Sequence, residues 1–111
     1  MGEDGWELIA GADPAVSVFP LRARIGGEHI IIFKTPAGFR GVQRNCPHQN
    51  ATLVDAQVAG GGTMIRCSQH SYTFRLRNGK GVNCPGYRIA VFDVKQDGQA
   101  LYGRPVAENS V

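Results

Sequence analysis

The stretch IRCSQHSYTF, Ile65 to Phe74, sets a cysteine and a histidine three positions apart, with a strand-like approach and an aromatic-rich exit. A second pair stands upstream in RNCPHQNATL (44–53), where Cys46 and His48 are only two apart. Each pair follows a segment that reads as a strand, so each is placed on a loop. Eighteen residues, 49–66, separate the pairs. A turn-rich connection of that length can bring both loops to one end of a small barrel or sandwich.

The rest of the chain supports a β-rich reading. Fifteen glycines and six prolines are spread through 111 residues, and both residue types penalise helix interiors. EHIIIFK (28–34) is β-branched and is followed by the turn TPAG; FRGVQR (39–44) alternates apolar and polar residues. Glu28–Lys34 and Phe39–Arg44 are therefore expected to pair as a hairpin. WELI and VSVFPL read as short strands around a turn at Asp13-Pro14. GGGTMIR feeds a strand that ends on Cys67, and YTFRL runs to a turn at Asn78-Gly79. RIAVFDV, a turn at Asp97-Gly98 and QALYG form a last hairpin. No segment keeps a helical period. The expectation is one all-β domain over residues 1–111, with a core at about 6–103 and a loose tail over 104–111.

Composition narrows the function classes. The longest clean apolar run, Ile30 to Phe33, is far too short for a membrane span. The acidic start MGEDGWELIA lacks the features of a signal peptide, and Trp6 stands where an acylation signal needs Ser or Thr. Three cysteines is an odd number, which argues for a reducing cytoplasm and against a secreted disulfide scaffold. The net charge of +3 is uneven: residues 40–80 hold six basic residues against Asp55 alone, a balance of +5 that leaves −2 elsewhere. Those residues are Arg40, Arg44, Arg66, Arg75, Arg77 and Lys80. No nucleic-acid module or long basic run accompanies them; for any single arginine a solvated surface is the plainer reading, while the coincidence with both Cys-His pairs suggests a face that meets an acidic partner.

Three chemistries suit two Cys-His pairs. A cysteine nucleophile with a histidine base needs one pair, and leaves the other redundant. Structural zinc takes two cysteines and two histidines, although zinc fingers group like with like, whereas each loop here carries one of each. A [2Fe-2S] cluster with two cysteines on one iron and two histidines on the other is served by this split arrangement.

Cys46-Pro47-His48 followed by Cys67-Ser68-Gln69-His70 resembles the Rieske signature, with Tyr72 and Phe74 where that family has aromatics. The likeness runs from about Trp6 to Gly103. Asn50 and Ser71 stand where the family commonly has glycine. CPHQ without a following glycine, and GKGVNCPG downstream, resemble the Rieske ferredoxins of toluene and alkene monooxygenases, with ring-hydroxylating dioxygenase ferredoxins closely similar. The resemblance implies a small antiparallel β-sandwich or barrel with two cluster-binding loops at one end. It implies Cys46, His48, Cys67 and His70 as ligands of one [2Fe-2S] cluster. It implies a monomeric, cytoplasmic electron carrier rather than an enzyme, fed by an NADH-dependent flavin reductase and feeding a terminal oxygenase. The alternatives are the Rieske-like small subunit of a nitrite reductase and a zinc-stabilised binding module.

Other residues receive plainer roles. Cys84 is expected to be a small packed residue, His29 an edge residue, and Trp6 and Phe19 core. Gly79 and Gly81 are expected in turns beside the cluster loops. High-potential members of the family tie their loops with a disulfide, at positions held here by Ala51 and Gln69. They also place hydroxyl donors at positions corresponding to Tyr72 and Phe74. Phenylalanine donates nothing, so the resemblance implies a low potential.

Overall fold

The computed structural model describes residues 5–13, 15, 17–36, 38–46, 52–67, 72–83 and 86–106. Nine strands follow in order: β1 Glu7–Leu8, β2 Leu21–Ile25, β3 Glu28–Thr35, β4 Gly38–Gln43, β5 Gln57–Ala59, β6 Met64–Arg66, β7 Thr73–Arg75, β8 Val91–Asp97 and β9 Ala100–Pro105. They make a six-stranded sheet ordered β1-β9-β8-β4-β3-β2 and a three-stranded sheet ordered β5-β6-β7. Every pairing between strands is antiparallel. The all-β architecture expected from the sequence is the one found.

The run Ile30–Phe33 shows no alternation because β3 is buried on both faces, each of its four residues being at most 2% exposed. Ile31 and Phe33 join a core with Val42, Leu53, Ile65, Phe74 and Val91, which also contains Cys46 and Cys67. Ile30 and Ile32 join a second core with Ile9, Ile25, Phe92 and Leu101. One sheet thus separates two apolar layers, and the smaller sheet covers the layer that holds the cysteines.

The β3–β4 hairpin is where the sequence puts it, with Ile30 opposite Gln43 and Thr35 opposite Gly38. The β8–β9 hairpin also forms, with Asp97 opposite Ala100. Two details differ. β9 continues through Pro105, opposite Phe92, and the Val106 N–H donates to the Val91 carbonyl, so the ordered chain passes the expected tail start at Arg104. The N-terminal strand placed on VSVFPL lies instead at Leu21–Ile25; Val18 is 81% exposed. Pro20 offers no N–H to a ladder, whereas in LRARI the apolar residues alternate with outward arginines.

Arg40 joins the two sheets. From β4 its Nε and Nη2 donate to the Leu76 carbonyl at 3.1 and 2.5 Å, and its Nη1 meets Asp93 Oδ1 on β8 at 2.5 Å. Arg40 is therefore a structural clamp rather than part of a docking face. Trp6 is half-buried, not core: its ring carries Arg104 at 4.3 Å and Lys95 at 4.6 Å, tying the start of the chain to β8 and β9. Phe19 is likewise half-buried, against Phe39 at a ring separation of 5.3 Å.

Candidate metal centre

Both cysteines open a loop of the same length. After β4, Asn45 pairs antiparallel with Thr52, and the Leu53 N–H donates to the Arg44 carbonyl at 2.7 Å. Those bonds close a loop over residues 46–51 whose first member is Cys46. After β6, Arg66 pairs with Thr73, and the Cys67 N–H donates to the Tyr72 carbonyl at 2.7 Å. That closes a loop over 67–72 whose first member is Cys67. Each cysteine thus has its backbone fixed by an adjacent ladder.

The far side of the first loop is held by a 3-10 turn, Leu53–Asp55, in which the Thr52 hydroxyl accepts from the Val54 N–H at 3.2 Å. Leu53 is fully buried under the loop. The second loop is braced by the segment after Lys80. There the Val82 N–H donates to the Thr73 carbonyl at 2.8 Å, and Asn83 Oδ1 accepts from the Thr73 N–H at 2.9 Å. The rings of Tyr72 and Tyr87 lie 5.9 Å apart across that contact.

Cys46 and Cys67 are 2% and 1% exposed, belong to one core cluster, and are in no disulfide. Two buried thiols on neighbouring loops, with apolar side chains behind them, suit a soft metal held by sulfur rather than a hard cation held by oxygen. His48, His70 and Cys84 lie outside the described residues. The donor set visible in the structure is therefore the thiol half of the expected set, and it fits an iron–sulfur cluster.

Phe74 follows the second loop on β7 and is fully buried opposite Ile65. Its side chain fills the core beneath the loops and brings no hydrogen-bond donor to them. Gly79 was expected beside the loops but sits in the turn at the opposite end of β7. There its N–H donates to the Arg75 carbonyl and its own carbonyl accepts from the Ile89 N–H.

The basic residues divide into two groups. Arg44 and Arg66, both exposed, stand at the bases of the two loops. Arg75 and Arg77 instead line a cleft with Arg40, Thr63, Asp93 and Val106, toward the other end of the small sheet. Among the described residues the ion pairs are those of Arg40 and Arg104, both with Asp93. Sequence reasoning expected one continuous basic face; the strand directions split it. It also missed a cleft of about 350 Å³ beside the first loop, lined by Arg22, Ala23, His29, Ile30, Arg44, Asn45 and Thr52.

Comparison with known proteins agrees with this geometry. The chain is 30% identical over 73 residues to the ferredoxin component of the alkene monooxygenase system of Xanthobacter autotrophicus, covering 65% of this chain and 59% of that protein. The fold superposes on the ferredoxin of carbazole 1,9a-dioxygenase from Nocardioides aromaticivorans with a TM-score of 0.74, at 18% identity, covering 92% of this chain and 99% of that one. It superposes on a nitrite reductase NADPH small-subunit protein with a TM-score of 0.76, at 17% identity, covering 89% and 97%. At such identities the two structures speak for the fold. No helix among the described residues is long and apolar enough to cross a membrane. The Rieske [2Fe-2S] domain profile matches residues 6–96, and with the paired cysteine loops at one end of an all-β fold the chain belongs to the Rieske [2Fe-2S] family, whose cofactor is a [2Fe-2S] cluster.

Proposed function

We propose that this protein is a one-electron carrier, not itself an enzyme, that passes electrons from an NADH-dependent flavin reductase to a terminal oxygenase. Cys46 and Cys67 would hold one iron of its [2Fe-2S] cluster, and His48 and His70 the other. The observation that carries the reading is the pair of equal loops, each opening on a buried cysteine one residue past a closing antiparallel pair. Antiparallel pairs beside each cysteine fix the backbones from which the two thiolates reach the cluster. The cluster supplies reversible one-electron storage. The chain supplies a fixed ligand frame, a dry apolar floor of Leu53, Ile65 and Phe74, and basic residues at the loop bases. Arg44 and Arg66 lower the electrostatic cost of the extra negative charge on reduction.

The link to an oxygenase rests on the relative from the alkene monooxygenase system. On this reading the chain is a single domain that acts as a monomer in the cytoplasm. Anaerobically purified protein should contain two irons and two acid-labile sulfides per chain. It should be reduced by NADH with a flavin reductase and reoxidised by an oxygenase component. Stoichiometric zinc without sulfide would sink the cluster assignment. Copurification with a large sirohaem protein would move the chain to a nitrite reductase instead.

A further inference from the structure

The cleft beside the first cysteine loop collects residues distant in sequence. β2 is the edge of the large sheet, and Arg22 on it stands opposite Ile31. Ile31 stands opposite Val42. Strand alternation therefore puts Arg22, His29, Ile31 and Val42 on one face. The small sheet and the loops cover Ile31 and Val42 completely, both being 0% exposed. Their cover stops short of the sheet edge, so Arg22 and His29 stay exposed. The chain leaving β4 brings Arg44 and Asn45 alongside, and Thr52 closes the far wall.

The result is a concave site of about 350 Å³ lined by two arginines and one histidine, with no acidic residue among its described walls. Neither Arg22 nor Arg44 makes an ion pair among the described residues. A pocket with walls of one sign concentrates its field on whatever occupies it. Two arginines on one cleft, each with a planar fork of donors, match a planar carboxylate better than a lysine pair does. The contrast with the other basic cleft is direct: there Asp93 already occupies the Arg40 guanidinium.

We propose that this cleft receives a carboxylate side chain of the oxygenase component to which the chain passes electrons. Its place next to Cys46 means that an acidic residue seated there orients the partner over the first loop. The assignment rests on the electron-carrier reading, but the cleft chemistry is testable without it. Arg24, exposed on the same strand yet outside the cleft, gives a control with the same change in charge. Arg77, in the far cleft, gives a second control.

The experiment titrates the holoprotein with hexaglutamate peptide at low ionic strength, and separately with inorganic phosphate. R22Q, R44Q, R24Q and R77Q are compared with the parent, and each variant's potential is recorded. R22Q and R44Q should each weaken peptide binding about fivefold, while R24Q and R77Q change it less than about twofold. The same two variants should slow electron transfer to the oxygenase by about the same factor, with R22Q leaving the potential unmoved. Equal effects of all four substitutions would overturn the proposal, since diffuse charge would then explain the binding. Saturable phosphate binding that R22Q abolishes, with no competition from the peptide, would overturn it in favour of a small-anion site. Failure of the parent to reduce any oxygenase would refute the carrier reading, while the peptide titration still decides the cleft.

Discussion

Replacing Arg40 by methionine keeps most of the side-chain volume and removes four polar contacts. Two are donated to the Leu76 carbonyl, a longer one of 3.4 Å to the Arg77 carbonyl, and the fourth meets Asp93. Leu76 is 2% exposed, so its carbonyl is in a dry setting and loses a charged donor. A hydrogen bond from a charged group to a buried acceptor contributes about 1.5–3 kcal/mol net. The Asp93 contact adds little, because its side chain is 35% exposed and Arg40 is 22% exposed; about 0.5 kcal/mol is reasonable after screening. The expected loss is about 2–3 kcal/mol. For a chain of this length that lowers the melting temperature by roughly 8–12 °C. R40K keeps the charge but not the fork, and should recover less than half of the loss. The assay is anaerobic guanidinium unfolding followed by circular dichroism, with cluster absorbance recorded in parallel. The potential should stay within about 20 mV of the parent, since Arg40 is a clamp between sheets whose described partners are Leu76, Arg77 and Asp93. An R40M midpoint equal to that of the parent would refute the clamp. So would a large shift in potential without loss of stability.

Three further outcomes follow from the same geometry. C67S should fail to hold a stable cluster because it removes a buried sulfur ligand, whereas C84S should leave the cluster's optical spectrum essentially unchanged; loss of the cluster in C84S alone would show that the wrong cysteine was chosen. Voltammetry at neutral pH should give a potential near the low end of the Rieske range, roughly −150 mV, because Phe74 is core and brings no donor; a value well above zero would contradict this. G79A should destabilise the fold by more than about 3 kcal/mol, because its new Cβ would lie 1.8 Å from the Ile89 carbonyl at a φ of +78°. G98A, at a φ of +65° with open space around it, should cost only about 1 kcal/mol, and equal losses in the two would show that the contact with Ile89 relaxes.

The hairpins and the two cysteine loops were legible because their signals are local. Ile30–Phe33 is a β-branched run beside a turn, and the tight turn between β8 and β9 falls at Gly98-Gln99, one residue past the expected Asp97-Gly98. β5 was missed because it is three residues long, with Gln57 and Val58 exposed, so it has neither the length nor the alternation of a strand. β2 was displaced because Val16 and Val18 carry strand propensity, while packing selected the alternating residues after Pro20. The Arg40 clamp spans 36 residues to Leu76 and 53 to Asp93, and nothing local marks such a partner. Trp6 was expected in the core on size and apolarity; the paired cations of β8 and β9 hold it at the surface. The candidate site shows the same divide. The loop residues were read from spacing, whereas the cleft of Arg22, His29 and Arg44 exists only once β2 folds against β3.

The pairs that close the two loops also account for how the cysteine backbones are fixed without a cross-link between the loops. Family members with a disulfide tie one loop to the other directly, and Ala51 and Gln69 provide no sulfur for that. Here the stiffness comes from below and beside. Each cysteine is anchored by a ladder bond within one residue, and both rest on one apolar floor. The second loop is held further by Asn83, whose side-chain oxygen takes the Thr73 N–H just past the loop. Phe74 contributes to that floor because it carries no polar group to satisfy. A hydroxyl there would need either a partner in the core or a path to a cluster sulfur. The same residue that packs the loops therefore removes a donor that would stabilise the reduced cluster. On the proposed reading, the fixed cysteine frame and the expected low potential share one cause, the apolar character of position 74, and a one-electron carrier benefits from both.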